Sequence, residues 1–176
     1  MPKLIQNLRE RLLESAKSIL LRQGYDRLTI RAVAGACGVA VGTVYNYFPS
    51  KEVLVASVML EDWQTALARM REGAAKASCA VEGLHSVFQA IATFARLYAG
   101  VWSQYASRVN ATELLRSRHH LIIGQLGEII RPLLARFGCL FHPSLTGFLA
   151  ETLLSASLDA ESRFEELTPV LTKLLQ

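Results

Sequence analysis

Cysteine is scarce, with Cys37, Cys79 and Cys139 the three in 176 residues. The set is odd in number and widely spaced, with no Cys-x-x-Cys. It encodes neither a disulfide framework nor a thiolate metal site, and free thiols in a reducing, cytoplasmic setting are expected. Proline is also sparse, at five, and no segment alternates apolar and polar residues as a strand would, so helices are left as the regular element. No apolar run reaches membrane length. The most apolar window, HSVFQAIATFARLYAGVWSQY, is interrupted by Gln89 and Arg96, whereas a span needs about 20 predominantly apolar residues. The opening MPKLIQNLRERLLESA is charged every few positions and has no apolar h-region, so it is not expected to be a signal peptide.

Catalytic machinery is equally absent. No phosphate loop, nucleophile elbow or Ser-His-Asp order is present. His119 and His120 are neighbours in sequence and would point about 100° apart on a helix, which makes them poor joint metal ligands. His85 and His142 have no obvious partners. No catalytic residue, metal ligand or cofactor site is expected, and the chain is not read as an enzyme.

What is present is apolar residue and basic charge. Hydrophobic residues make up 51% and charged ones 19%, which supports a buried core and excludes disorder. The net charge of +4 is uneven. Residues 1–51 carry eight Lys and Arg against three acids, and residues 52–176 carry eleven against twelve. A basic head on a nearly neutral body suits a polyanion-binding module joined to something else.

Hydrophobic periodicity places the helices. Ile5, Leu8, Leu12, Ala16, Ile19 and Leu20 recur at three and four, predicting an amphipathic helix over 4–22 that stops at Gly24. Thr29 caps a second helix with Ile30, Val33, Ala34 and Cys37 on its buried side. Gly38 turns the chain, Val39 plugs the corner, and a third helix covers 41–48. Pro49 ends it, and Ser50 caps a fourth helix, with Glu52 in its first turn, that reaches about residue 76. Further helices are predicted over 81–99, near 101–107, and over 110–137, where Pro132 kinks or splits the last turns before Gly138. Pro143 suits the first turn of a helix ending near Leu158. The last helix ends at Leu175, with Thr168-Pro169 either its start or a kink within it. The fold class is all-α. Residues 1–50 form a three-helix helix-turn-helix head, and residues 51–176 form a helical bundle.

The third helix divides sharply at 100° per residue. Val44 and Phe48 fall together and, with Val39, face inward. Gly42, Thr43 and Asn46 face the other way, with Val41 and Tyr45 on one flank and Tyr47 on the other. A major groove about 12 Å wide admits one such cylinder. Gly42 has no Cβ and permits close approach. Lys51 adds its charge to the positive end of the next helix, and the Thr29 and Tyr47 hydroxyls suit phosphates on either side.

The run TIRAVAGACGVAVGTVYNYFPSKEVL, residues 29–54, resembles the DNA-binding head of the tetracycline-repressor (TetR/AcrR) family of bacterial regulators. The shared features are Thr29, Gly38-Val39, Gly42-Thr43-Val44-Tyr45-Asn46-Tyr47-Phe48 and Ser50-Lys51-Glu52. The resemblance spans about residues 5–60. It implies backbone contacts from Thr29, Tyr47 and Lys51, and Val41, Gly42, Thr43, Tyr45 and Asn46 in or beside the groove. Arg31, beside Thr29, joins the expected DNA-binding set. Ala40 stands where the family often has Ser or Thr, forfeiting a cap of roughly 1 kcal/mol. Val41 stands where a basic or polar residue is frequent. It offers a thymine methyl only apolar contact, so fewer direct base hydrogen bonds are expected.

The body is expected to pair two copies and to hold an effector. Leu145, Phe148, Leu149, Thr152, Leu153 and Ala156 make one apolar stripe. Val170, Leu171 and Leu174, with Leu167 and Leu175, make another, and together they are the expected dimer interface. Trp63, Phe88, Ile91, Tyr98, Trp102 and Tyr105 are the candidate lining of a mainly apolar effector pocket. The resulting expectation is a dimeric repressor that binds a palindromic duplex operator and is released by a small apolar molecule. The alternatives are a DNA-binding regulator without such an effector, or a helical enzyme or carrier whose front helices are incidental.

Overall fold

The structure is a computed structural model. It describes residues 7–106, 111–139, 141–159 and 161–176, the side chains of 102, 103, 106 and 111–118 excepted. Among these residues the regular elements are eight helices and no strands: α1 (Leu8–Gln23), α2 (Ile30–Cys37), α3 (Val41–Tyr47), α4 (Lys51–Lys76), α5 (Ala80–Ala106), α6 (Ala111–Arg136), α7 (Ser144–Leu158) and α8 (Phe164–Leu174). Ile5 lies outside the described residues. The chain divides into two compact units. One takes residues 1–62 and 98–111, the other 63–97 and 112–176.

In the first unit, local chemistry sets the helix ends. Gly24 closes α1 at φ 85°, a left-handed value that glycine adopts without strain. Thr29 is extended and accepts the Ala32 N–H at 3.0 Å, capping α2 as its sequence predicts. Leu28 and Val33, just before the cap and on the next turn, are both fully buried and staple the entry to α2. Leu12, Leu13, Ala16 and Leu20 of α1 are buried, as are Ile30, Val33, Ala34 and Cys37 of α2. Arg11 and Cys37 join the two helices: the guanidinium donates to the Cys37 carbonyl at 3.3 Å, and the thiol donates to the Arg11 carbonyl at 3.5 Å.

The second unit has one contiguous core drawn from α4, α5, α6, α7 and α8. It includes Leu67, Met70, Leu84, Val87, Leu126, Ile130, Leu134, Leu149 and Leu153. Small residues let the helices approach. A Cβ on Gly83 would lie 2.5 Å from a Leu133 methyl, and one on Gly73 would lie 2.5 Å from Ser86 Cβ. Arg136 donates to the Ala75 and Ala77 carbonyls, which satisfies acceptors that the end of α4 leaves open.

One boundary differs from the sequence expectation, and two open alternatives are narrowed. The helices expected over 81–99 and near 101–107 are one helix, α5. Gly100 costs about 1 kcal/mol relative to Ala, yet Tyr98, Val101 and Tyr105 are buried at helical spacing on both sides of it and outweigh that cost. α6 runs through Pro132 without a break. α8 starts at Phe164, so of the two positions left open for Thr168-Pro169 the structure takes the one inside the helix.

Candidate nucleic-acid interface

The turn between α2 and α3 is built by Gly38. Its φ of 68° lets Val39 N–H reach back to the Ala34 carbonyl at 3.0 Å, a Schellman closure of α2. Val39 is half-buried at this corner. α3 then presents two faces. Val44 and Phe48 are 0% and 1% exposed, whereas Tyr45 and Tyr47 are 49% and 44% exposed. Gly42 and Asn46 are exposed, Val41 is exposed and Thr43 half-buried. A Cβ added at Gly42 would meet nothing within 4 Å, so the space over its backbone is open. Ala40 has extended cap geometry but no side-chain hydrogen bond to the helix, as its methyl dictates.

The residues at the two flanks are held differently. Thr29 is exposed and spends an oxygen lone pair on its cap, which leaves its O–H free to donate outward. Arg31, two positions on, is exposed. Ser50 accepts the Val53 N–H at 3.2 Å and caps α4. Lys51 opens that helix with its ammonium 3.9 Å from the centroid of the Tyr25 ring. Beside it, the Glu52 carboxyl is held below the usual range, first by its own backbone N–H and then by the Ser50 and Tyr25 hydroxyls.

Tyr25, Asp62 and Arg9 were not singled out by the sequence. Tyr25 is fully buried, and its hydroxyl donates to Glu52 at 3.2 Å. Asp62 pairs with Lys17 and accepts from the Tyr98 hydroxyl at 2.6 Å. Burial, together with that carboxylate, raises the Tyr98 phenol far above its ordinary value, so it stays a neutral donor. Arg9 pairs with Glu61 at 3.1 Å, and its guanidinium lies 5.8 Å from the Phe48 ring centroid. Arg9, Arg11 and Lys17 therefore have partners within the chain, and the charge excess of the first 51 residues overstates the charge turned toward a polyanion.

The six candidate pocket residues are divided by the structure. Trp63, Phe88 and Ile91 belong to the core of the second unit, where Trp63 Nε1–H donates to Gln125 at 2.8 Å. Tyr98 and Tyr105 belong to the first unit and are buried there. The side chain of Trp102 lies outside the described residues. A surface concavity of about 560 Å³ lies instead along α8, lined by Glu165, Thr168, Pro169, Thr172, Lys173 and Gln176. The candidate pairing residues also separate. Leu145, Leu149, Leu153 and Leu171 are buried within the chain, Thr152, Ala156 and Leu174 are half-buried, and Phe148 and Val170 are 59% and 66% exposed.

Residues 12–58 match the model of the bacterial regulatory proteins of the tetR family. The HTH-type transcriptional regulator UidR of Escherichia coli K12 is 27% identical over 171 residues, covering 97% of this chain and 76% of UidR. The HTH-type transcriptional repressor KstR of Mycobacterium tuberculosis is 45% identical over 51 residues, which are 29% of this chain and 23% of KstR. Among solved structures, Salmonella enterica GusR superposes with a TM-score of 0.73 at 24% identity, covering 99% of each chain. The fatty acid degradation regulator FadR from Bacillus halodurans gives 0.57 at 22%, covering 95% of this chain and 97% of that one. At these identities the two structures speak to fold alone. Among the described residues, no helix is long and apolar enough to cross a membrane.

Proposed function

We infer that this chain, which belongs to the tetR family of bacterial regulatory proteins, acts as a dimeric transcriptional repressor on a palindromic duplex operator. The observation that carries the reading is the orientation of α3. Its apolar pegs Val44 and Phe48 are buried, while Val41, Gly42, Tyr45, Asn46 and Tyr47 face out. That helix enters a major groove. Val41 and the tyrosine rings supply apolar contact, and Thr43 and Asn46 supply hydrogen bonds to base edges. Thr29, Arg31, Tyr47 and Lys51 take phosphates and fix the register. One head reads only a few base pairs, so two copies pair and set their α3 helices about 34–36 Å apart. Phe148 and Val170, exposed on α7 and α8, supply the apolar contact between copies. Repression is the role carried in the name of KstR, which is 45% identical to this chain over 51 residues.

A small, mainly apolar effector releases the operator by binding best to a state whose heads are wrongly spaced. Because Trp63, Phe88 and Ile91 are packed into core, a second reading has support: a regulator of the same kind without a small-molecule effector. Selection of duplexes from a random pool by the purified protein, at two salt concentrations, tests the common part. A palindromic enriched site with salt-weakened affinity is expected. Enrichment of no duplex, or of an asymmetric single site, overturns it.

A further inference from the structure

We propose that Tyr25 is the positioning residue for Lys51 at a DNA phosphate, and that Tyr105, from far along the chain on α5, fixes the Tyr25 ring in place. The inference rests on the reading of Lys51 as a phosphate contact. It adds two residues that touch no DNA to the determinants of DNA affinity.

Three sides of the Tyr25 ring are occupied. Its face carries the Lys51 ammonium, 3.9 Å from the centroid. Its edge meets the Tyr105 ring, with centroids 6.2 Å apart and planes at 68°. Its hydroxyl donates to Glu52 Oε1 at 3.2 Å. Tyr25 and Tyr105 are both buried, so neither ring is there to meet a ligand from solvent.

The arrangement solves a problem set by the sequence. Lys51 and Glu52 are adjacent, and a lysine on a flexible four-carbon stem would readily turn to a neighbouring carboxylate. Tyr25 contacts both. Its hydroxyl end holds the carboxylate, and its π-face, which carries negative charge density, holds the ammonium. An ammonium seated on a ring still directs donors away from that ring, and a phosphate oxygen can accept them. Because the stem is already ordered, less conformational freedom is lost when the phosphate arrives. The edge-to-face contact with Tyr105 keeps the ring from turning. A residue of α5, outside the helix-turn-helix, thereby sets the pose of a group on α4.

The test uses the full chain and the duplex recovered by the selection above, with affinity measured by fluorescence anisotropy across a salt series. Lys51→Met is expected to weaken binding about tenfold and to lower the salt slope by about 0.9 for each copy, about 1.8 for the dimer. Tyr25→Leu and Tyr105→Leu are expected to lose affinity about three- to tenfold with a reduced slope. In a Lys51→Met background each is then expected to change affinity less than twofold. Tyr25→Phe, which keeps the ring face, is expected to keep the slope. Equal losses from the leucine variants with and without Lys51 overturn the positioning role alone. A silent Lys51→Met overturns the phosphate contact, and the proposal falls with it. A readout that needs no variant to fold comes from NMR of the unmodified protein. The ε-methylene protons of Lys51 should be shifted upfield by the ring current of Tyr25, and their presence at the ordinary position overturns the seat.

Discussion

α3 and α7 are both rich in apolar residues, yet they could not be read equally well. In α3, polar and aromatic groups alternate with two aliphatic or aromatic pegs, so a single rotation buries Val44 and exposes Tyr45, Asn46 and Tyr47. In α7, Leu145, Leu149, Ala150, Leu153 and Leu154 are buried while Phe148 and Leu158 are exposed. The exposed side also holds Ser144, Glu151 and Ser155, but Phe148 and Leu158 interrupt it, so its polar face only weakly marks which side the chain's own core will claim. Amphipathicity carries direction; uniform hydrophobicity carries only the fact of burial somewhere.

One residue type placed in both regions gives the largest expected contrast. Phe48 is 1% exposed and Phe148 is 59% exposed. Phe48→Ala removes a filled core position and is expected to cost about 3–5 kcal/mol, with amide exchange over residues 8–62 accelerating first. Phe148→Ala is expected to stay within about 0.5 kcal/mol in the folded protomer, while weakening self-association. Chemical denaturation at several protein concentrations separates the two effects. Equal, concentration-independent costs at both sites would erase the distinction drawn between α3 and α7.

Gly42 sharpens the same contrast, because stability and binding should move in opposite directions there. An added Cβ meets nothing within 4 Å, and alanine favours a helix over glycine by about 0.5–1 kcal/mol, so Gly42→Ala should raise stability by that amount. If the open space is where nucleic acid approaches, the same methyl should weaken operator binding by about tenfold, roughly 1.4 kcal/mol. Melting curves and anisotropy on one preparation read both. A stabilised variant with unchanged affinity would remove Gly42 from the contact surface. Smaller again is Ala40, whose extended geometry lacks only an acceptor. Ala40→Ser is expected to add about 0.5–1 kcal/mol of stability, seen as a raised denaturation midpoint with an unchanged slope.

Much of the first unit was legible because its signals are local. Gly24 and Gly38 both adopt positive φ, Thr29 caps α2, and Ser50 caps α4, each at the expected position. What escaped was the long-range part. Nothing within a turn of Tyr25 indicates that its ring will lie between Lys51 and Tyr105. Likewise, nothing near Asp62 indicates pairing with Lys17 and Tyr98. Such partners are set by how distant helices pack, and hydrophobic period does not report that. The break expected before residue 101 shows the converse error. The helix instead runs on through Gly100, with Tyr98, Val101 and Tyr105 buried on both sides of it.

The smallest effect concerns Glu52, and its sign can be fixed in advance. The native carboxyl is held below its ordinary range, chiefly by its own backbone N–H and the Ser50 hydroxyl, with Tyr25 and the Lys51 charge adding to the same direction. The unfolded chain therefore binds a proton at higher pH than the native one does, and stability rises with pH through that window. The contribution is fully present above the unfolded value of about 4.3 and is lost as pH falls through the lower native value. Glu52→Gln keeps an acceptor for Tyr25 but cannot titrate. The stability difference between the two proteins should thus be constant from about pH 6 upward and shrink as pH drops into the acid range. A difference that instead grew on acidification would mean the carboxylate is destabilised where it sits. The stabilisation assigned to the Ser50 and Tyr25 hydroxyls would then be incorrect.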